Sequence, residues 1–226
     1  MNSDVRHSWV MEQLAKIPSG HRILDAGAGS KRYKPFCSHL QYVSQDFCQY
    51  DGKGNGEGLH RGSKEALNID IVGDITNICE QNESFDAIIC TEVFEHIANP
   101  IEAIKEFNRL LKHNGRLILT APFCSQTHYA PHHYYSGFNK YFYEKFLSEN
   151  GFEILSLTAN GSFFEFLIQE TKRLTKMATK YTDVNLHGSN TPTIANFIEL
   201  LNRIKVTDKN SSEFLCFGYH ILAKKV

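Results

Sequence analysis

Short apolar runs alternate with helix-period segments over residues 21–121, and this alternation limits the fold more than any other feature of the chain. His21-Arg22-Ile23-Leu24-Asp25 reads as a first strand, Gln41 to Gln45 as a second, Ile69 to Val72 as a third and Phe85 to Thr91 as a fourth. Pro100 to Leu111 then reads as an amphipathic helix. Ile101, Ile104, Phe107, Leu110 and Leu111 share one face, and Glu102, Lys105, Glu106 and Arg109 lie on the polar side. Asn114-Gly115 is expected to stop that helix, and Arg116 to Ala121 to form the next strand. Strands that alternate with helices favour a parallel sheet covered on both faces. The runs Phe85–Thr91 and Leu117–Ala121 are almost continuously apolar, which predicts central strands buried on both sides. The fold class is therefore an open, doubly wound α/β sheet with helices on both faces.

The flanks complete this layout. Val5, Trp9, Val10, Leu14 and Ile17 are spaced for an N-terminal helix within residues 1–18, ended by Pro18-Ser19-Gly20. Tyr141 to Asn150 predicts a helix closed by Gly151, and Phe152 to Leu157 a strand. Two further helical stretches follow, one through Phe163, Phe164, Leu167, Leu174, Met177 and Tyr181, the other through Ile194, Phe197, Ile198, Leu201 and Ile204. A final strand is expected over Phe214 to Ala223. The 226 residues thus read as a single domain with a helical insertion, residues 160–206, between the last two strands. That insertion suits a lid, a substrate wall or the surface of a homodimer, and the pattern does not choose among them.

Composition removes several function classes. With 24 Lys+Arg against 25 Asp+Glu the net charge is -1, so no strong field recruits nucleic acid or an anionic membrane. No apolar run approaches the ~20 residues that span a bilayer. Asp4, Arg6, Glu12 and Lys16 interrupt the first twenty residues, so no secretory signal is read there. The six cysteines contain no C-x-x-C pair, which argues against a disulfide framework and a structural zinc site. A reducing, cytoplasmic setting is the expectation.

The sharpest chemical signal is Ile23-Leu24-Asp25-Ala26-Gly27-Ala28-Gly29-Ser30, a strand entering a glycine turn. Glycines at 27 and 29 allow a sharp bend and close approach to a ligand, and a helix N-terminus is expected just beyond. Asp46 follows the second strand, about 20 residues on, where a carboxylate can accept both hydroxyls of a ribose. Asp74 follows Ile71-Val72-Gly73 at the third strand's end. Acids at consecutive strand ends line the crevice where open α/β sheets bind ligands, which favours a nucleoside cofactor. A dinucleotide fingerprint needs Gly at 32, and Arg32 stands there, so NAD is demoted.

With these residues in view, the chain resembles the class I S-adenosylmethionine-dependent methyltransferases. The likeness rests on Asp25-Ala26-Gly27-Ala28-Gly29, Asp46, Gly73-Asp74-Ile75, Phe85 to His96 and Leu110 to Thr120, and it covers roughly residues 20–158. One departure is Lys31, where many members carry a third Gly. The resemblance implies a Rossmann-like sheet of about seven strands with the last antiparallel, and S-adenosylmethionine as cofactor. It further implies that Gly27 and Gly29 face the methionine part, Asp25 organises the ammonium and Asp46 holds the ribose. Asp74 and Ile75 would then hold the adenine, and Thr91 and Glu92 flank the sulfonium. Members that methylate amino groups of adenine or glutamine carry Asn/Asp-Pro-Pro-Tyr/Phe after the fourth strand. Thr91-Glu92-Val93-Phe94 stands here instead, against that chemistry.

The methyl acceptor should enter at the loop after the fifth strand. Residues 121–138 hold His128, His132 and His133 with Tyr129, Tyr134 and Tyr135. A hydroxyl acceptor needs a base, and imidazole serves near neutral pH. His128, then His133, are the candidate bases. Tyr129, His132, Tyr134 and Tyr135 are candidates to bind a small-molecule or saccharide substrate. A metal on His128, His132 and His133 is set aside, because Pro131 breaks the helical spacing and no acid is interleaved, so no metal is expected. His96 reads as a cap or packing residue. The stretch Gln49 to Asn68, with Gly52, Gly54, Gly56, Gly58 and Gly62 beside His60, Arg61 and Lys64, reads as a surface loop or as one that orders over the site. Trp9 is expected to pack against the domain or to cover the cofactor. The competing functions are a nucleotide-dependent oxidoreductase and a non-catalytic S-adenosylmethionine-binding subunit. The first is disfavoured by Arg32, and its Tyr-x-x-x-Lys spacing (Tyr141, Lys145) falls beyond the acceptor loop.

Overall fold

The computed structural model describes residues 2–50, 55, 58, 59, 68–184, 186 and 191–226. Its elements run α1 Asn2–Ala15, β1 Arg22–Ala26, β2 Gln41–Asp46, β3 Ile71–Val72, β4 Phe85–Thr91, α2 Pro100–Leu110, β5 Leu111–Pro122, α3 Lys140–Glu149, β6 Phe152–Asn160, α4 Phe163–Tyr181, α5 Thr191–Lys205 and β7 Gly218–Lys225. The seven strands form one sheet in the order β3-β2-β1-β4-β5-β7-β6. Strands β1 to β5 pair in parallel, and β7 pairs antiparallel to β5. The order reverses between β1 and β4, the place where open α/β sheets form a ligand crevice.

Two compact units make up the chain, one of residues 1–158 with 218–226 and the other of residues 159–217. In the first, β4 lies at the middle with Phe85, Ala87, Ile88, Ile89 and Cys90 all buried. Successive side chains alternate between faces. Ile23, Ala87, Ile89 and Ile118 meet Val10, Leu14 and Ile17 of the α1 segment, together with Tyr33 and Cys37. The opposite face belongs to α2 and α3, which bury Ile104, Phe107, Leu110, Tyr143 and Leu147. In the second unit α4 and α5 pack along each other, with Lys205 paired to Glu165 at 3.2 Å. Ser162 caps α4 by accepting the Glu165 N–H at 3.5 Å. Among the described residues no helix is long and apolar enough to cross a membrane.

Three boundaries differ from the pattern reading. Helix α2 ends at Leu110 and β5 begins at once, so Asn114-Gly115 lies within the strand segment. Phe85 pairs with Leu111 and Ala87 with Arg116, which leaves Lys112 to Gly115 bulged out opposite Asp86. Asn114 takes a φ of 63°, and Lys112 bonds Asp86 at 2.7 Å, closing the bulge. The last strand starts at Gly218 rather than Phe214, because Ser211–Glu213 forms a 3-10 turn and Phe214 is 73% exposed. No α-helix follows Gly29. Lys31 turns to a φ of 54°, and only a 3-10 turn forms, over Lys34–Cys37 with Pro35 in it. The helix N-terminus expected there does not exist.

Ile89→Ala should cost roughly 2–5 kcal/mol, because it removes a fully buried side chain from the α1-facing core. Leu155→Ala, at a 45% exposed position on β6, should stay within about 0.5 kcal/mol. Urea unfolding of the two variants checks both, the first through a lower midpoint at unchanged slope.

Candidate functional site

The glycine turn is built from inside the sheet. Gly27 and Gly29 have φ values of 74° and 50°, a region that side-chain-bearing residues seldom enter. A Cβ on Gly27 would lie 2.5 Å from a Val93 methyl. The N–H groups of Gly27 and Ala28 both donate to the Gln45 carbonyl, at 2.9 and 2.8 Å. Asp46 finishes the clamp, one carboxylate oxygen accepting from Gly29 N at 2.8 Å and the other from Cys48 N at 2.9 Å. Gln45 Nε2 reaches across to the Gly73 carbonyl at 2.7 Å, tying β2 to the end of β3. The three strand ends therefore hold one another; of the predicted residues Gly29 bonds Asp46 directly, and Gly27 bonds the adjacent Gln45.

The other predicted cofactor residues lie along the same strand edge. Asp25, at 2% exposure, accepts from the Tyr42 hydroxyl at 2.5 Å. Burial, opposed by that hydrogen bond and reinforced by the Asp46 charge, pushes its carboxyl up to about 7. Asp74 accepts from Thr76 N and Thr76 Oγ1, both at 2.8 Å, and Ile75 beside it is buried. Thr91 ends β4 and is half-buried. Glu92, at a φ of 56°, pairs with Arg6 at 2.8 Å and accepts from Thr120 Oγ1 at 3.1 Å. Helix α1 thus brings a cation to the end of β4. On the same helix His7 meets the Tyr33 hydroxyl at 2.7 Å, and Trp9 stacks on His220 with centroids 4.9 Å apart. Of the Gly-rich stretch, His60, Arg61, Lys64, Gly52, Gly54, Gly56 and Gly62 lie outside the described residues. Leu59 is described, and its N–H donates to the Thr127 carbonyl at 2.9 Å.

The loop after β5 is pinned beside the turn that follows β4. Tyr134 N and Tyr135 N donate to the Glu95 carbonyl at 2.8 and 3.2 Å, and the Tyr135 hydroxyl donates to the Ala98 carbonyl at 2.9 Å. His128 and His133, the candidate bases, lie with ring centroids 4.8 Å apart, and His133 meets Ser125 Oγ at 3.1 Å. His96 joins them, 4.7 Å from the His128 ring and 5.8 Å from that of His133. Tyr129 packs its edge on His96 and on Tyr50. His132 turns away, its ring edge-on to Phe47 at 5.2 Å. Tyr134 is exposed.

The three loop histidines set aside as a metal grouping do not converge as one cluster. His132 faces Phe47, whereas Glu95, His96 and His128 bring their donor atoms within 4.8 Å of one another. His96 lies in a 3-10 turn, Phe94–His96, and not at the start of a helix. Burial pushes Glu95 up to about 8, with Glu92 adding to the shift, and burial pushes His96 down to about 3. Burial, and then the neighbouring His128, hold the His133 imidazole below its usual range. Glu95 and Arg6 carried no signal that singled them out. Glu95 lies within the Phe85-to-His96 stretch with nothing in spacing to set it apart, and the partner of Arg6 is 86 residues away.

Comparison with known proteins follows this geometry. Residues 4–157 match the family described as "Methyltransferase domain". The chain is 31% identical over 119 residues to a ubiquinone biosynthesis O-methyltransferase of Xanthomonas axonopodis pv. citri, covering 51% of this chain and 48% of that protein. It spans about half the length of the curated relatives it matches. A solved SAM-dependent methyltransferase from Archaeoglobus fulgidus superposes with a TM-score of 0.58 at 15% identity, covering all of this chain and 95% of that one. Phosphoethanolamine N-methyltransferase 2 of Haemonchus contortus, solved with S-adenosyl-L-methionine, gives 0.56 at 14% identity, over 98% of this chain and 52% of that one. At such identities the structural likeness is one of fold.

Asp25 gives the site a pH signature. Its folded pKa of about 7 lies above the unfolded value near 3.9, so the unfolded chain releases the proton first as pH rises. Its contribution to stability is full below about pH 4, falls between about 4 and 7, and is level above that. Asp25→Asn lacks this fall. Relative to the natural chain, the variant should gain up to about 4 kcal/mol across that window. Denaturant unfolding at several pH values measures the difference.

Proposed function

The chain belongs to the class I S-adenosylmethionine-dependent methyltransferase family, and from that premise we propose that it transfers a methyl group to the oxygen of a small-molecule or saccharide acceptor. The observation that carries the reading is the placement of a glycine turn, the carboxylates of Asp25 and Asp46 and a histidine cluster at one edge of one sheet.

The cofactor is cationic at its ammonium and its sulfonium and carries a ribose diol. The donor set fits that chemistry. Burial, Tyr42 and Asp46 dominate the proton affinity of Asp25, and none of them supplies a positive charge. A cation beside Asp25 would relieve its desolvation. Gly27 and Gly29 would sit by the methionine part and Asp25 by its ammonium. Asp46 would hold the ribose, Asp74 and Ile75 the adenine, and Thr91 and Glu92 the sulfonium side. When bound, the cofactor supplies an electrophilic methyl group with a neutral thioether as leaving group.

The remaining work falls to the chain's own residues. They must align the acceptor and remove its proton. His128 and His133 stand at the loop's inner side as proton acceptors. Tyr129, His132, Tyr134 and Tyr135 form the wall offered to the acceptor. An oxygen acceptor agrees with this base-rich rim, because a neutral amine needs no proton removed before attack. The O-methyltransferase relative supports the same choice, as does Thr91-Glu92-Val93-Phe94 in the place of an amino-methylating motif.

Titration calorimetry with S-adenosylmethionine should show binding at one site per chain, weakened by about tenfold or more in Asp46→Ala. His133→Ala should leave that affinity unchanged and lower methyl transfer to phenolic or saccharide hydroxyls by about 100-fold or more. Absence of cofactor binding in the natural chain overturns the proposal, and full turnover in His133→Ala and His128→Ala removes their assigned role.

A further inference from the structure

Two imidazoles and a carboxylate, those of His96, His128 and Glu95, bring their donor atoms within 4.8 Å of one another. The Nδ1 of His96 lies 2.5 Å from the His132 carbonyl, and the Nδ1 of His128 lies 2.8 Å from the Gln126 carbonyl. A carbonyl oxygen can only accept, so both Nδ1 atoms carry the hydrogen, and in each neutral ring Nε2 is the nitrogen that keeps a lone pair. Those two Nε2 atoms each lie 3.7 Å from the same oxygen, Glu95 Oε1. That is too long for a hydrogen bond. Glu95 is 1% exposed, and among the described residues neither its Oε2 nor the buried Nε2 of His96 has a hydrogen-bond partner. Buried polar atoms left in this state, Glu95 Oε2 and His96 Nε2, cost stability.

We propose that Glu95, His96 and His128 hold one divalent transition-metal ion, zinc fitting best, with coordination positions left open toward the acceptor. Two imidazole nitrogens and one carboxylate oxygen form a borderline donor set that suits zinc better than magnesium or calcium. In a tetrahedral site with bonds of about 2.0–2.1 Å the ligand atoms stand about 3.3 Å apart. The two 3.7 Å contacts to Glu95 Oε1 need close by a few tenths of an ångström, and the three donor atoms already lie within 4.8 Å of one another. Each imidazole already donates its other N–H to a backbone carbonyl, the outer contact that orients histidine ligands. Three protein ligands leave room for an oxygen from outside, the arrangement of catalytic rather than structural ions. This inference rests on the reading of the loop as the acceptor's entrance and deepens it. The ion would favour acceptors that present an oxygen donor, and proton acceptance would pass from His128 to His133.

The test uses the whole chain after treatment with a chelator and dialysis. Zinc is titrated by calorimetry, and cobalt(II) by the absorbance of its d–d bands. The expected result is one ion per chain, with affinity lowered by about 100-fold or more in His128→Ala and in Glu95→Gln. His113→Ala, an exposed histidine on the β4–β5 bulge, should bind as the natural chain does. Glu95 is buried, so circular dichroism accompanies its variant. His128 lies at the half-buried rim, and its variant decides the matter if Glu95→Gln misfolds. Failure of the natural chain to take up zinc or cobalt overturns the proposal, and so does His128→Ala binding as tightly as the natural chain. S-adenosylmethionine is titrated into the same samples. Cofactor binding without metal uptake overturns the metal site alone, and metal uptake without cofactor binding overturns the methyl-transfer reading alone.

Discussion

Parallel strands share a direction, so they end at the same edge of their sheet, and everything chemical in this chain depends on that constraint. The loops leaving β1, β2, β3, β4 and β5 all start from one side. Because strand order reverses between β1 and β4, the loops after those two diverge and leave a crevice between them. The glycine turn occupies one wall, and the turn carrying Glu92, Glu95 and His96 occupies the other. Residues far apart in sequence meet because topology delivers them there.

Holding charge at such an edge carries a cost in desolvation, and the chain offsets it differently at each carboxylate. Asp46 accepts two backbone N–H groups, Glu92 takes a guanidinium from α1, and Asp25 has a tyrosine hydroxyl. Glu95 has the least support, with one oxygen unbonded among imidazoles. A graded series of this kind, from well-satisfied to poorly satisfied acids, marks where a fold is arranged for a ligand and not for its own stability.

Much of this was legible in the sequence. The bounds of β4 follow from a nearly continuous apolar run, and Gly27 and Gly29 with Asp46 follow from the spacing of a glycine turn and an acid after consecutive strands. Other features depend on contacts that periodicity does not encode. The missing helix after Gly29 turns on the backbone of Lys31, a residue with no strong preference for positive φ. The extension of β5 back to Leu111 depends on a bulge opposite Asp86. His132 was grouped with its histidine neighbours by proximity in sequence, yet its ring faces Phe47, while His96 and Glu95 reach His128 across more than thirty residues. Pattern reads what repeats along a chain, and these are single encounters across it.

Glu95 plays two parts through different atoms. Its carbonyl anchors the backbone of Tyr134 and Tyr135, whereas its side chain looks toward His96 and His128. The shape of the entrance is thereby fixed by main-chain atoms that any amino acid supplies, and the polarity inside it by a carboxylate that a single codon change can replace. Descendants of this scaffold are free to alter what the doorway attracts without rebuilding the doorway.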